Sequence, residues 1–417
     1  MDTDDLPSVA QKFLRYVRID TQSDRNSDTT PSTAKQKDLG RLLVSELQEM
    51  GVDDAAIDEH GYVYGNLAAT PGADGPAVAL VAHVDTSPDE PGGPVKPLIH
   101  RGYDGSVITL PGDPSVKVDP ARSPALLEHQ GQDLITSDGT TLLGSDDKAG
   151  VAVIMQVAED LMADPDHPRP TLRICFTVDE EIGRGVDKLD MERLAADVAY
   201  TVDGEEVGDL DTATFNAAEA TIRVTGVNVH PGTAKGVMAN AATILARILA
   251  ALPAAEAPET TEGEEGYFCP TEIEGNISKA ETKMLLRDFT TEGMERRKRL
   301  VHQLAEAARL EHPRAEIEVE IEGQYKNMGD YIAETDPRAI SFALAAGREM
   351  GMELRQMSVR GGTDGSRLSE EGLPTPNIFN GGHDFHSRFE WNTVQNLETT
   401  VAYVKQLVRY WAEHGGE

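Results

Sequence analysis

Three short, largely apolar segments each run straight into imidazole or carboxylate side chains, and that pairing limits what the chain can fold into. Ala77-Val-Ala-Leu-Val-Ala82 is followed at once by His83-Val-Asp85, Leu172-Arg-Ile-Cys-Phe-Thr-Val178 leads into Asp179-Glu180-Glu181, and Val198-Ala-Tyr-Thr-Val202 ends in Asp203. Apolar runs of this length, bounded by turn residues, fit strands buried on both faces. A polar cluster just past such a strand lies where open α/β sheets bind ligands. Helical periodicity surrounds the runs: Val9, Phe13 and Val17; Leu39, Leu42, Leu43 and Leu47; and, after Asp146, Val151, Ile154, Met155, Ala158 and Met162. Strands alternating with helices indicate an α/β architecture.

The pattern changes after residue 212. A strand over 220–224, a helix over 239–252, a turn-rich stretch over 253–266, strand-like segments including 282–289, a helix over 291–310 and an alternating strand over 315–321 follow in turn. The order β-α-β-β-α-β predicts a ferredoxin-like α+β domain. It reads as an insertion over 213–324, because a helix over 337–350, a strand over 376–379 and a helix over 396–414 then resume the α/β pattern. The fold expected is therefore an α/β domain built from 1–212 and 325–417 that carries an inserted α+β domain, within the reach of 417 residues.

Charge narrows the function. There are 38 Lys and Arg against 72 Asp and Glu, a formal net charge of −34, and the acids are scattered through periodic segments as a solvated surface. That argues against nucleic acid and anionic membrane as partners. Lysine is scarcer than arginine, which suits a high-salt cytoplasm, although an acidic enzyme from a GC-rich genome has the same look. Two cysteines cannot build a disulfide framework, and Cys175 lies inside an apolar run as a structural thiol. The acidic start Met-Asp-Thr-Asp-Asp lacks a basic region and an apolar core, and no apolar run approaches 18 residues. These features predict a soluble, cytoplasmic protein.

Taken singly, the polar clusters have ordinary readings. His83-x-Asp85 can be a loop hydrogen bond, Asp146 in Leu143-Gly-Ser-Asp-Asp-Lys-Ala-Gly150 can be a helix N-cap, and Asp179-Glu-Glu181 can be surface acidity. Together with Asp203 and with His386 in Gly381-Gly-His-Asp-Phe-His386, however, two histidines and several carboxylates all follow strand ends. A mixed N/O set of that kind suits one or two divalent metals. Hydrolysis is the chemistry it most directly supports, with one uncoordinated carboxylate moving the proton. Spacing does not separate Glu180 from Glu181 in that role.

Over nearly its full length the chain resembles the M20 metallopeptidases, and within them the peptidase T group of tripeptide aminopeptidases. The segments that carry the likeness are Ala82-His-Val-Asp-Thr86, Gly139-Thr-Thr-Leu-Leu-Gly-Ser-Asp-Asp-Lys-Ala-Gly150, Asp179-Glu-Glu-Ile-Gly183, Tyr200-Thr-Val-Asp-Gly204, Asn228-Val-His-Pro-Gly-Thr-Ala-Lys-Gly236 and Arg360-Gly-Gly-Thr-Asp-Gly365. The resemblance implies two Zn2+ per subunit, with Co2+ or Mn2+ as candidate substitutes, held by His83, Glu181, Asp203 and His386 and bridged by Asp146. It further implies that Asp85 orients His83, that Glu180 is general base and then acid on a bridging water, and that the Asp146-Asp147 peptide is cis. His230, otherwise an ordinary loop histidine before Pro231, would stabilise the oxyanion. Arg287 would clamp the peptide carboxylate, with Asn276 a weaker substrate contact, and Gly361, Gly362, Thr363 and Asp364 would shape the pocket. The inserted domain would act as lid and join two copies into a homodimer. Asp at position 203 favours an aminopeptidase or dipeptidase over a carboxypeptidase. A dipeptidase, an N-acyl amino acid hydrolase and a non-catalytic metal-binding protein are the rival readings. Two positions depart from the family pattern: His383 stands where relatives often carry an aromatic residue, and Ser387 where they often carry glycine. His383 could therefore compete as a ligand or alter the pocket wall.

Overall fold

The structure, a computed structural model, describes residues 5–73 and 75–416. The acidic start at 1–4, Asp74 and Glu417 lie outside them. Two compact units are present. One is Met1–Thr212 with Tyr331–Met357 and Thr363–Glu417, and the other is Ala213–Asp330 with Ser358–Gly362.

The first unit is organised on an eight-stranded mixed sheet. Its order is Ala56–Ile57, Val63–Leu67, Leu172–Thr177, Val78–His83, Val198–Gly204, Asn377–Phe379, Asp209–Thr214 and Arg355–Val359. The three apolar runs lie side by side and parallel at its centre. Every residue of Val78–His83 is buried, as an unbroken apolar run requires when helices cover both faces. Helix Ser145–Ala163 packs on that strand and on Val198–Gly204, with Ser8–Tyr16 and Val394–His414 against its other sides. It is accordingly apolar nearly all round: Val151, Val153, Ile154, Met155, Val157 and Leu161 are fully buried, each stabilising the fold by about 1.5–3 kcal/mol. Gly150 permits the close approach, since a Cβ there would strike the Val202 carbonyl. Parallel strands that all point one way deliver their C-terminal ends, and the side chains just beyond them, to one edge of the sheet.

Smaller sheets complete this unit. Trp391–Thr393, Leu134–Thr136 and Leu98–His100 form one, and Ile108–Thr109 pairs with Lys117–Val118 in another. They enclose a separate core of Tyr103, Leu110, Val118, Leu126, Leu134 and Trp391.

The second unit is a four-stranded antiparallel sheet in the order Tyr267–Gly275, Lys279–Asp288, Asn216–Thr225, Glu316–Tyr325, with helices Ala241–Ala250 and Thr291–Glu311. Its core joins Ile222 and Val224 to Leu245, Ile248, Met284, Leu286 and Val301. This is the β-α-β-β-α-β succession, though its flanking strands run longer than periodicity predicts. Glu316, Glu318 and Glu322 are exposed along the edge strand. No helix among the described residues is long and apolar enough to cross a membrane.

Candidate metal centre

His83 is the last residue of its strand, and its ring is buried with both nitrogens engaged. Nδ1 lies 3.1 Å from the Asp85 carbonyl and 3.4 Å from the Asp85 carboxylate, while Nε2 lies 3.0 Å from Asp146 Oδ1 and 3.5 Å from Asp203 Oδ1. A nitrogen that donates to a carbonyl or carboxylate leaves the other free to bind a cation. Asp85, fully buried, also accepts the backbone amides of Glu180 and Glu181 at 3.0 and 3.3 Å.

Asp146 sits where Ser145–Ala163 departs from helical geometry, with φ −84° and ψ 104°, behind Gly144 at φ 80°. The Asp146-Asp147 peptide is cis. Buried Glu390 accepts the amides of Leu143, Gly144 and Asp146 and so fixes this turn. The two oxygens of Asp146 then face different imidazoles: Oδ1 toward His83 Nε2, and Oδ2 toward His386 Nε2 at 3.2 Å. His386, itself at φ 58°, is 2.8 Å from Glu181 Oε2.

Donor atoms of His83, Asp146 and Glu181 lie within 4.8 Å of one another, as do those of His83, Asp147 and Asp203. Glu180 belongs to neither group, so the geometry separates it from its neighbour where spacing does not. Burial and the adjacent Asp146 push Glu181 up to about 8, and burial with Asp146 pushes Asp203 up to about 7 although His83 opposes it. Burial, with Asp364, Asp203 and Glu181 adding like charge, lifts Glu180 well above the usual carboxylate range against the pull of His83. Asp146 runs the other way: burial raises it, but His386 and His83 hold it well below. Hydrogen bonds to Asp146 and Glu181 take His386 up to about 11. Carboxylates crowded in this way retain protons unless cations neutralise them. The residues fit a pair of divalent ions: buried Glu181 Oε1 and Asp203 Oδ1 have no hydrogen-bond partner, and one carboxylate offers an oxygen to each side.

Other supporting residues escaped sequence reasoning. Asp147 accepts the His83 amide at 3.3 Å and the Asn380 side-chain amide at 3.0 Å, and its place beside Asp146 was the available signal. Glu390 offered none. The predicted pocket-shaping stretch is divided, since Gly361 and Gly362 belong to the second unit and Thr363 and Asp364 to the first. Asp364 accepts the Thr177 hydroxyl at 2.7 Å, and Thr363 caps helix Asp364–Glu370.

His230, Arg287 and Asn276 all belong to the second unit. His230 is exposed and its Nδ1 accepts the Gly232 amide, which leaves the proton on Nε2. The Arg287 guanidinium is buried, donates to the carbonyls of Ala218 and Leu286 and lies 5.6 Å over the Tyr325 ring. Asn276 Oδ1 accepts the amides of Ser278 and Lys279, so its acceptor is spent on a local turn.

Comparison with known proteins adds an independent line. Residues 212–316 match the peptidase dimerisation domain of the M20 family, and 136–243 match the M42 glutamyl aminopeptidase family. The chain is 44% identical over 408 residues to the peptidase T of Desulfitobacterium hafniense, covering 98% of this chain and 99% of that one. Against the peptidase T of Bacillus subtilis it is 43% identical over 401 residues, covering 96% and 98%. Among solved structures, the aminopeptidase PepT of Bacillus cereus superposes with a TM-score of 0.75 at 23% identity over 97% of this chain and 98% of that one. A tripeptidase from Staphylococcus aureus gives 0.75 at 20% identity over 98% of both. At these identities the two structures speak to the fold.

Proposed function

The chain belongs to the peptidase T family, and from that premise we propose that it is a tripeptide aminopeptidase, releasing the N-terminal residue at a centre of two zinc ions. His83, Asp203, Glu181 and His386 hold the ions in this reading and Asp146 bridges them. The single observation that carries it is the Asp146 carboxylate, which turns one oxygen to His83 and the other to His386. Bound there, two divalent ions would polarise the scissile carbonyl and lower the pKa of water.

The remaining work falls to the chain. Glu180 stands outside both donor groups with a carboxyl whose proton affinity is raised, which suits a group that takes a proton from the attacking water and returns it to the departing amine. Asp85 fixes the Glu180 backbone and the His83 ring at once. His230, with its proton on Nε2, is assigned to the oxyanion, and Arg287 to the peptide carboxylate, with Asn276 as a lesser contact. The second unit serves as lid and dimerisation domain, supported by the family match at 212–316. A cytoplasmic location accompanies this reading, supported by the unpaired Cys175 and Cys269.

The test is hydrolysis of Ala-Ala-Ala, Ala-Ala and N-acetyl-alanine by zinc-reconstituted protein, beside Glu180→Ala with its metal content measured. Wild type should release the N-terminal residue of the tripeptide fastest, and the metal-loaded variant should lose roughly 10²–10⁴-fold in kcat. Preference for the dipeptide or the acylated amino acid would overturn the substrate assignment.

A further inference from the structure

Away from this centre, His129, Glu206 and His383 each bring one donor atom to within 4.8 Å of the others. His129 Nε2 is 3.8 Å from one Glu206 oxygen and His383 Nε2 is 3.5 Å from the other. Both imidazoles are nearly sealed, 5% and 6% exposed, and neither Nε2 has a hydrogen-bond partner. The rings are held rigidly. His383 stacks on Trp391 with centroids 4.0 Å apart and planes 14° from parallel, and His129 meets both edge-on.

The tautomer of His129 follows from its other nitrogen. Nδ1 lies 3.1 Å from Gln132 Oε1, an oxygen that also accepts the Thr393 hydroxyl, so Nδ1 carries a proton, while Nε2, without a hydrogen-bond partner, faces Glu206, whose carboxylate raises the proton affinity of the ring against its burial. Two lone-pair atoms confronting each other in a buried space repel unless positive charge lies between them. A protonated His129 paired with Glu206 could supply that charge, yet 3.8 Å is beyond hydrogen-bond reach. Two ligands about 2.0–2.2 Å from one zinc ion at a tetrahedral angle lie roughly 3.4 Å apart. The observed 3.5 and 3.8 Å spacings, each to a different Glu206 oxygen, are close to that, opened slightly, and suit a carboxylate that turns both oxygens to the ion.

We propose that Nε2 of His129, Nε2 of His383 and the carboxylate of Glu206 form a third zinc site, structural and separate from the two-ion centre. Its role follows from its neighbours in sequence. Glu206 comes three residues after Asp203 and His383 three residues before His386. An ion here ties together the two turns that carry those residues and anchors both to the loop bearing His129. His383, a departure from the family pattern, thereby gains a use that the hydrolytic centre does not give it.

Equilibrium dialysis of the full-length protein against buffered zinc, with metal counted by mass spectrometry, tests it. Wild type should hold three equivalents and Glu206→Gln, nearly isosteric, two. Asp146→Ala, which dismantles the two-ion centre, should hold one, and the Asp146→Ala/Glu206→Gln double variant none. Circular dichroism confirms folding in each case, and His383→Phe provides a second route should Glu206→Gln misfold. In Glu206→Gln the weaker of the two remaining ions should dissociate about 10-fold more readily. Equal stoichiometry in wild type and Glu206→Gln would overturn the site and leave the protonated His129–Glu206 pair. A third equivalent lost with Glu206 while Asp146→Ala still holds one would support it even if no tripeptide were cleaved.

Discussion

The carboxylate of Asp85 accepts the backbone amide of Glu180 at 3.0 Å. Through its other contacts, to the Glu181 amide and the His83 ring, one buried group sets the position of an assigned metal ligand, the orientation of a second and the placement of the acid–base residue. Asp85→Ala should therefore weaken zinc binding about 10–100-fold. Its kcat should stay depressed even when zinc is saturating, because Glu180 loses its anchor. Equilibrium dialysis and saturating-zinc kinetics read the two effects separately, and wild-type kcat at high zinc would refute the coupling.

Asp211 gives a pH dependence of stability that does not involve the centre's ligands. Burial raises its carboxyl to about 7 despite the Asn377 side-chain amide, which donates to it at 2.8 Å. The unfolded group titrates near 3.8, so between about pH 4 and 7 the folded state keeps a proton that the unfolded chain has released. The stability this neutral form contributes is full below the lower value and is lost as pH rises through 7. Asp211→Asn removes the loss and should raise Tm by roughly 2 °C or more at pH 8, with little change at pH 4. An equal shift at both pH values would exclude titration of Asp211 as the cause.

The match of 212–316 to a dimerisation domain predicts association in solution. Sedimentation equilibrium at micromolar concentration should return twice the chain mass. A single-chain mass across that range would rule the homodimer out.

A net charge of −34 spread over the surface predicts that salt stabilises the fold. Screening weakens repulsion among exposed carboxylates on the scale of the Debye length, about 10 Å at 0.1 M and 3 Å at 1 M. Thermal melts in KCl should rise from low salt to molar salt. A steady fall over the same range would show that specific ion pairs such as Arg297 with Glu256 and Asp288 outweigh the general repulsion.

Legibility in the sequence tracked how local each signal was. The strands around Ala82, Cys175 and Val202 were evident because burial on both faces leaves an unbroken apolar run, and the helix after Asp146 because its own packing demands apolar residues on every side. His83, the acids at 179–181, Asp203 and His386 stood out as polar residues past strand ends and Asp146 as one of two acids opening a helix, while their assignment as ligands came from the family resemblance. Glu390 was not, because its role exists only through a contact spanning 244 residues, from its carboxylate to the Asp146 amide. Segments such as Leu98–His100, Ile108–Thr109 and Trp391–Thr393 are too short to show any periodicity. Helix Met328–Thr335 buries only Met328 and Ile332, a single i,i+4 pair, and so gave no repeating pattern. Glu180 and Glu181 were seen but not distinguished, since adjacent residues diverge only once the turn that carries them is built.

The five residues assigned to the two-ion centre come from separate strand ends and turns, the first at 83 and the last at 386, an interval of 303 residues. During synthesis no partial chain short of His386 can complete the centre, whatever it has already folded. On that assignment, metal uptake would be a late event that reports on nearly the whole chain. A chain ended before His386 would lack that residue and also helix Val394–His414, whose Leu397, Tyr403, Leu407 and Trp411 are fully buried, so on this assignment the means to attack peptides and the closing of the core would arrive together, only with a finished molecule.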